Sequence, residues 1–286
     1  MIIHLPKNIS CTQVQELANN IGALCLEQVE QFVLITNHMT KQLPTDLKDI
    51  ALQHWIFDSD MQLSSRQYSA ETHRITLGDT YIGGDQKNQL MIAGPCAVES
   101  REQIEQSCQM LQQQGIRILR AGCYKPRTSP YTFRGLGEDG LKLLAEMREK
   151  YGLLIATEMR DATHADNVIE YADIIQIGAK SMYDHGLLAA AGKSGKPVIL
   201  KRGFGTTLQE FVNCADFIMS CGNDQVILCE RGIRSFETNT RFTLDLCGVA
   251  WLKEHCNLPI IIDPSHAMGY AYGIGDLARA CTAMGV

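Results

Sequence analysis

From residue 90 onward the chain alternates two patterns. Short, nearly continuous apolar runs lie at 90–93, 116–119, 153–156, 174–177, 197–200, 225–229 and 259–262. Each is followed by a stretch with helical spacing. Ser100 and Gln103 form a capping box ahead of Ile104, Cys108 and Leu111; Thr207 and Glu210 form another ahead of Leu208, Phe211, Ala215 and Ile218. Unbroken apolar strands alternating with helices predict a parallel sheet covered on both faces. Seven units at this spacing favour a (β/α)8 TIM barrel over a doubly wound sheet, and no G-x-G-x-x-G follows any of the runs.

The first 70 residues read differently. Residues 1–5 predict a short strand. Residues 10–21 predict a helix, with Ser10 and Gln13 as a capping box and Val14, Leu17, Ala18 and Ile21 on one face. Residues 32–36 are extended, a shorter helix follows Pro44, residues 55–57 suggest another strand, and 58–73 look like a polar linker. Glycine supports the division: Gly22 is alone in residues 1–77, while the remaining 23 of 24 lie beyond. The expected organisation is a small α+β domain over 1–70, a linker and barrel-capping hairpin over 71–89, and the α/β barrel over 90–286. Seven units are one short of a closed barrel, so the barrel is expected to be incomplete at its C-terminal side.

Composition narrows the class. With 45% hydrophobic and 20% charged residues the chain is globular, and no apolar run approaches the ~18 residues of a membrane span. A net charge of -6 argues against a nucleic-acid partner. The eleven cysteines are scattered, odd in number and without a C-x-x-C pair, and the N-terminus lacks a secretory pattern. Reduced thiols and a cytoplasmic location are expected.

Chemistry in a barrel sits at the C-terminal ends of its strands. Those ends place Arg120, Lys125, Arg127, Lys180, Lys201, Arg202 and Arg231 on one rim of a net-acidic chain. Any one of them alone reads as a solvated loop residue. Together they imply phosphorylated or carboxylated substrates, because clustered like charges repel unless an anion compensates them. Cys96 and His266 also fall at strand ends. Singly they read as a buried thiol and a hydrogen-bonded histidine; together they suit a divalent metal such as Zn, Fe, Mn or Co, although spacing offers no third ligand.

Gly94-Pro95-Cys96, the run from Lys125 through Pro126, Arg127, Thr128, Ser129 and Pro130 to Tyr131, Lys201-Arg202-Gly203, Cys229-Glu230-Arg231-Gly232 and Asp263-Pro264-Ser265-His266 resemble 3-deoxy-D-arabino-heptulosonate 7-phosphate (DAHP) synthases of type I-beta. The resemblance runs from about residue 74 to the C-terminus, and the Lys-Pro-Arg-Thr run is its most specific piece. Octulosonate 8-phosphate synthases share the barrel but carry Lys-Ala-Asn there. Residues 1–70 loosely resemble the ferredoxin-like regulatory domain that some members carry.

The resemblance implies condensation of phosphoenolpyruvate with erythrose 4-phosphate and water, the first step of the shikimate pathway. Arg120, Lys125, Lys201 and Arg231 would hold phosphoenolpyruvate, with Lys180 at a phosphate-binding position that is usually arginine. Arg127 and Thr128 would bind the sugar phosphate. Cys96 and His266 would supply two of four metal ligands, the other two being expected beyond residue 286. Lys125 would shuttle a proton and Asp263 would orient His266. A homodimer or homotetramer inhibited by tyrosine or phenylalanine is the implied setting. The alternatives are an octulosonate 8-phosphate synthase and a non-catalytic, aromatic-amino-acid-sensing or scaffold protein with a degenerate barrel.

Overall fold

A computed structural model of the chain describes residues 1–85, 90–125, 129 and 131–286. Residues 86–89, at the end of the expected hairpin segment, lie outside the described residues, as do Arg127, Thr128 and the two prolines beside them.

The N-terminal residues form β1 (Ile2–Pro6), α1 (Cys11–Asn20), β2 (Leu24–Glu27), β3 (Gln31–Ile35) and β4 (Gln53–Trp55). The strands pair antiparallel in the order β2-β3-β1-β4, as a ferredoxin-like unit requires. Both halves of the Ser10/Gln13 capping box form at α1. The helix expected after Pro44 is only a 3-10 turn, Thr45–Leu47, and β2 is a strand the apolar pattern did not announce.

Strand alternation gives this sheet two buried faces. Ile3, Leu5, Phe32 and Leu34 pack with Val14 and Ala18 of α1. Ile2, Val33 and Ile35 face the other way and share a core with Phe57, Leu63 and the barrel's helices.

The expected linker is not a solvated tether. Gln62, Leu63, Ser64 and Ser65 are buried. A buried segment must satisfy its backbone, and two side chains of the barrel do this. Asp216 accepts from the Gln62, Leu63 and Ser64 amides at 2.7, 3.2 and 2.9 Å, and Asn257 donates to the Leu63 and Ser65 carbonyls at 2.9 and 3.1 Å. Burial raises the Asp216 carboxyl to about 6, against those amide bonds.

Two short antiparallel strands follow, β5 (Ile75–Leu77) and β6 (Thr80–Ile82). The barrel units are then β7 (Ile92–Ala93), α2 (Arg101–Gln113), β8 (Ile118–Arg120), α3 (Glu138–Tyr151), β9 (Leu154–Met159), α4 (Ala165–Tyr171), β10 (Ile174–Ile177), α5 (His185–Lys193), β11 (Val198–Lys201), α6 (Leu208–Ser220), β12 (Val226–Glu230), α7 (Leu246–His255) and β13 (Ile260–Ile262). Two further helices, α8 (Pro264–Met268) and α9 (Ile274–Ala283), come after β13. The strands β7 to β13 form one parallel sheet in sequence order. Among the described residues no helix is long and apolar enough to cross a membrane.

Period two divides the strand residues between two cores. Leu119, Ile155, Ile175, Leu200 and Leu228 point outward to the helices. Ile118, Ala156, Ile174, Ile199 and Ile227 point inward and meet in a single cluster, which requires the sheet to curl. Ile75 and Leu77 of the hairpin join that cluster from below, so the hairpin caps the barrel floor.

Candidate active site

The same parity builds the site. Two residues after each inward apolar side chain, at the C-terminal strand ends, come Arg120, Glu158, Gln176, Lys201, Cys229 and Asp263, with Arg231 two further on β12's side. The inward positions thus change from isoleucine and alanine to charged and polar groups over one layer. A cleft of about 260 Å³ opens there, lined by Cys96, Arg120, Lys125, Glu158, Lys180, Lys201, Arg231 and His266 and, from loops, Phe204, Arg234, Arg241 and Phe242. That volume suits a small metabolite. Of the expected residues with described positions, Cys96, Arg120, Lys125, Lys180, Lys201, Arg231 and His266 are in this lining, Asp263 stands just behind it, and Arg202 lies outside it. The roles expected of Arg127 and Thr128 lie outside the described residues.

Glycine lets the strands approach at this level. Gly94 has φ 143°, and a Cβ there would stand 2.3 Å from the Arg120 carbonyl oxygen. Gly232 has φ 92°, where a Cβ would meet that of Phe242 at 2.7 Å.

Two hydrogen-bonded groups dominate the floor. Asp263 accepts from Lys201 Nζ and bonds His266 Nδ1, each at 2.6 Å, and its other oxygen caps the His266 amide at 3.0 Å. Burial would raise the Asp263 carboxyl, but the His266 bond and the Lys201 charge hold it well below the usual carboxylate range. With Nδ1 committed to Asp263, the other ring nitrogen of His266 is left to bond the Cys96 thiol. That bond lowers the thiol to about 6; burial opposes it, and Lys125 and Arg120 add to it. Lys125, itself buried, donates to the Cys96 carbonyl and to Sγ, the latter at 3.2 Å.

Beside them, Arg120 Nε donates to Gln176 at 3.3 Å and Gln176 donates to Glu158 at 3.1 Å. Arg231 is only 6% exposed and its Nη1 has no hydrogen-bond partner among the described residues. Lys180 is exposed at the rim.

One rim assignment is corrected. Arg202 does not face the cleft, because it follows the inward Lys201 and parity turns it outward. It bonds Glu230 at 3.0 Å and Asp245 at 2.7 Å beneath the helices. Glu158, Gln176, Phe204, Arg234, Arg241 and Phe242 were missed. Parity counting would have found the first two; the other four sit in loops whose path no pattern announces.

Cys96 and His266 fit half of a divalent-metal site. A thiolate and an imidazole nitrogen meet, and a carboxylate fixes the far ring nitrogen, the usual support for a metal-binding histidine. No group of three or more metal-binding side chains occurs among the described residues.

Comparison with known proteins agrees with this geometry. A model of the DAHP synthetase I family matches residues 61–285. The phospho-2-dehydro-3-deoxyheptonate aldolase of Thermotoga maritima is 47% identical over 224 residues, covering 78% of this chain and 66% of that protein, just under two thirds. The 2-dehydro-3-deoxyphosphooctonate aldolase of Thiobacillus denitrificans is 30% identical over 217 residues, covering 68% and 75%. The crystal structure of the Thermotoga maritima enzyme superimposes with a TM-score of 0.78 at 39% identity, covering all of this chain and 85% of the other. A truncated form of the synthase from the same organism gives 0.73 at 42% identity, covering 80% and 82%.

Proposed function

Because the chain belongs to the DAHP synthetase I family, we propose that it condenses phosphoenolpyruvate with erythrose 4-phosphate and water to give DAHP and phosphate. The observation that carries the reading is the cleft: seven cationic side chains against one carboxylate, Glu158, around the Cys96–His266 pair. A site so short of negative charge fits ligands that bring phosphate and carboxylate with them. The higher identity to the heptonate aldolase favours erythrose 4-phosphate over the five-carbon sugar phosphate of the octonate enzymes.

In this reading Arg120, Lys180, Lys201 and Arg231 hold phosphoenolpyruvate through its phosphate and carboxylate. The unpartnered Arg231 Nη1 is a ready donor to an oxyanion. Arg127 and Thr128 are assigned to the sugar phosphate on their sequence positions alone. Cys96 and His266 would hold a divalent metal, which when bound supplies Lewis-acid polarisation of the sugar aldehyde. Asp263 keeps the His266 ring in one tautomer and anchors Lys201.

Bond formation between C3 of phosphoenolpyruvate and the aldehyde carbon turns the aldehyde oxygen into an alkoxide that must take a proton. Water adds at C2 and gives one up, and phosphate leaves, so the protons balance. Lys125 Nζ, which sits against Cys96 at the centre of the cleft, is the group assigned to carry that proton.

Free thiols throughout support a cytoplasmic setting. The β1–β4 sheet is assigned a regulatory role with tyrosine or phenylalanine as ligand, supported by the core it shares with the barrel. The test of the activity is phosphate release from phosphoenolpyruvate by the purified chain with manganese, alongside mass detection of DAHP. Release that requires erythrose 4-phosphate, and is lost in Lys125→Met, supports the reading. Release preferring arabinose 5-phosphate, or none with either sugar, overturns it.

A further inference from the structure

Two arginines in the cleft have no place in the assignments above. Arg234 and Arg241 come from the loop between β12 and α7, which is pinned on both sides. Ile233 and Thr243 exchange backbone hydrogen bonds at 2.8 and 2.9 Å, the Arg234 amide donates to the Phe204 carbonyl at 2.6 Å, and the Phe242 amide donates to Ala267 at 2.9 Å. The loop is therefore a fixed wall. Its side chains stack in order: the Arg234 guanidinium lies 4.9 Å from the Phe204 ring centroid, Phe204 and Phe242 are 5.5 Å apart and 25° from parallel, and Arg231 lies 4.4 Å from the Phe242 centroid. Arg241 sits over the same Phe242 ring at 5.6 Å.

The rings hold the guanidiniums in place but offer their N–H groups no oxygen. Among the described residues no carboxylate lies within 4.0 Å of Arg231, Arg234 or Arg241. The neighbouring acids are committed: Asp263 to Lys201 and His266, Glu230 and Asp245 to Arg202. Three like charges gathered on a fixed wall, one with a buried unpaired N–H, are thus left without an ion-pair partner among the described residues. Burial lowers the pKa of Arg231, the Asp263 charge opposes it, and the Arg241 charge lowers it further.

We propose that Arg241 and Arg234 complete, with the free edge of Arg231, a phosphate-binding subsite on the β12 side of the cleft, arginines closing on the outer oxygens of a phosphate that Arg231 holds from within. Its ligand is a phosphate dianion, either a substrate's phosphoryl group or free inorganic phosphate. Guanidiniums suit such a ligand because their N–H forks match its oxygens in pairs.

Calorimetric titration of the full chain with inorganic phosphate tests this without turnover. Both arginines are exposed loop residues, so the double variant R234Q/R241Q should keep the wild-type melting curve. Its phosphate Kd should rise at least tenfold, equivalent to about 1.4 kcal/mol, and Arg231→Met should weaken phosphate by a similar factor. Binding within twofold of wild type in R234Q/R241Q, while Arg231→Met loses it, overturns the subsite. Assigning the phosphate to a substrate rests on the proposed reaction. There, R234Q/R241Q should raise the KM of one substrate and spare the other: phosphoenolpyruvate if the subsite holds its phosphate, erythrose 4-phosphate if it holds the sugar's. An active variant with both KM values unchanged refutes a substrate role. A chain that makes no DAHP but loses phosphate in the double variant refutes the reaction and supports the subsite.

Discussion

Replacing Glu230 by alanine should cost the barrel more than any change to a rim cation. Glu230 is fully buried on the outward face of β12. One carboxylate oxygen accepts from the Gly232 amide at 2.6 Å and the other from Arg202 at 3.0 Å. Alanine removes both acceptors. Arg202, whose side chain is 5% exposed, keeps Asp245 and the Thr206 carbonyl, but its Nε already lacks a partner. Breaking a buried ion pair on one side typically costs ~3–5 kcal/mol. At roughly 2–4 °C per kcal/mol for a chain of this size, the melting midpoint should fall by about 6–20 °C. Circular dichroism on heating reads it directly. Glu230→Gln keeps the shape and one acceptor while turning an amide N–H2 toward one of the two donors, so its midpoint should lie between wild type and alanine. A fall of less than ~2 °C in the alanine variant, or a glutamine variant less stable than alanine, would refute the reasoning.

Gly94→Ala should destabilise by at least ~1 kcal/mol, since the position needs φ 143° and the new methyl would meet the Arg120 carbonyl; a midpoint equal to wild type contradicts that. Asp216 predicts a pH dependence. Its folded pKa of about 6 exceeds the ordinary value of 3.8, so the folded state binds the extra proton. The stability this gives is complete below about 4 and lost as pH rises through about 6. Urea midpoints from pH 4 to 7 should show the advantage of wild type over Asp216→Asn shrinking across that window. An advantage that grows would mean the carboxyl is not destabilised by its burial.

The alternation of apolar runs and helices was enough to read the barrel, because a buried parallel strand leaves an unbroken apolar signature. Strand-end position singles out Cys96, Arg120, Lys125, Lys180, Lys201, Arg231, Asp263 and His266, which lie in or just behind one cleft. That criterion has no direction, and so Arg202 was grouped with Lys201. Counting parity from Ile199 separates them: Lys201 falls inward, Arg202 outward. The same count from Ile227 sends Arg231 into the cleft and Glu230 beneath the helices. Arg234 and Arg241 needed the three-dimensional path of a loop, which depends on backbone bonds to Phe204, Ala267 and Met268 from distant parts of the chain. The segment 58–73 misled for another reason. Its polar composition resembles a solvated tether, yet the acceptors and donors that make its burial tolerable, Asp216 and Asn257, lie more than 150 positions away.

That clamp also determines where the molecule can bend. With residues 62–65 tied to α6 by Asp216 and to the segment ahead of β13 by Asn257, no pivot can lie within them unless those bonds part together. Phe57 is held on the near side, buried in the shared core. Between the two anchors only residues 58–61 stand with exposed or half-exposed side chains. A lever of that length has a short arm, so rotation of the β1–β4 sheet about it would first have to pull Ile2, Val33 and Ile35 out of contact with the barrel. Motion of the sheet and loosening of the barrel's outer layer are therefore one event, and a ligand that braces either side stiffens the other.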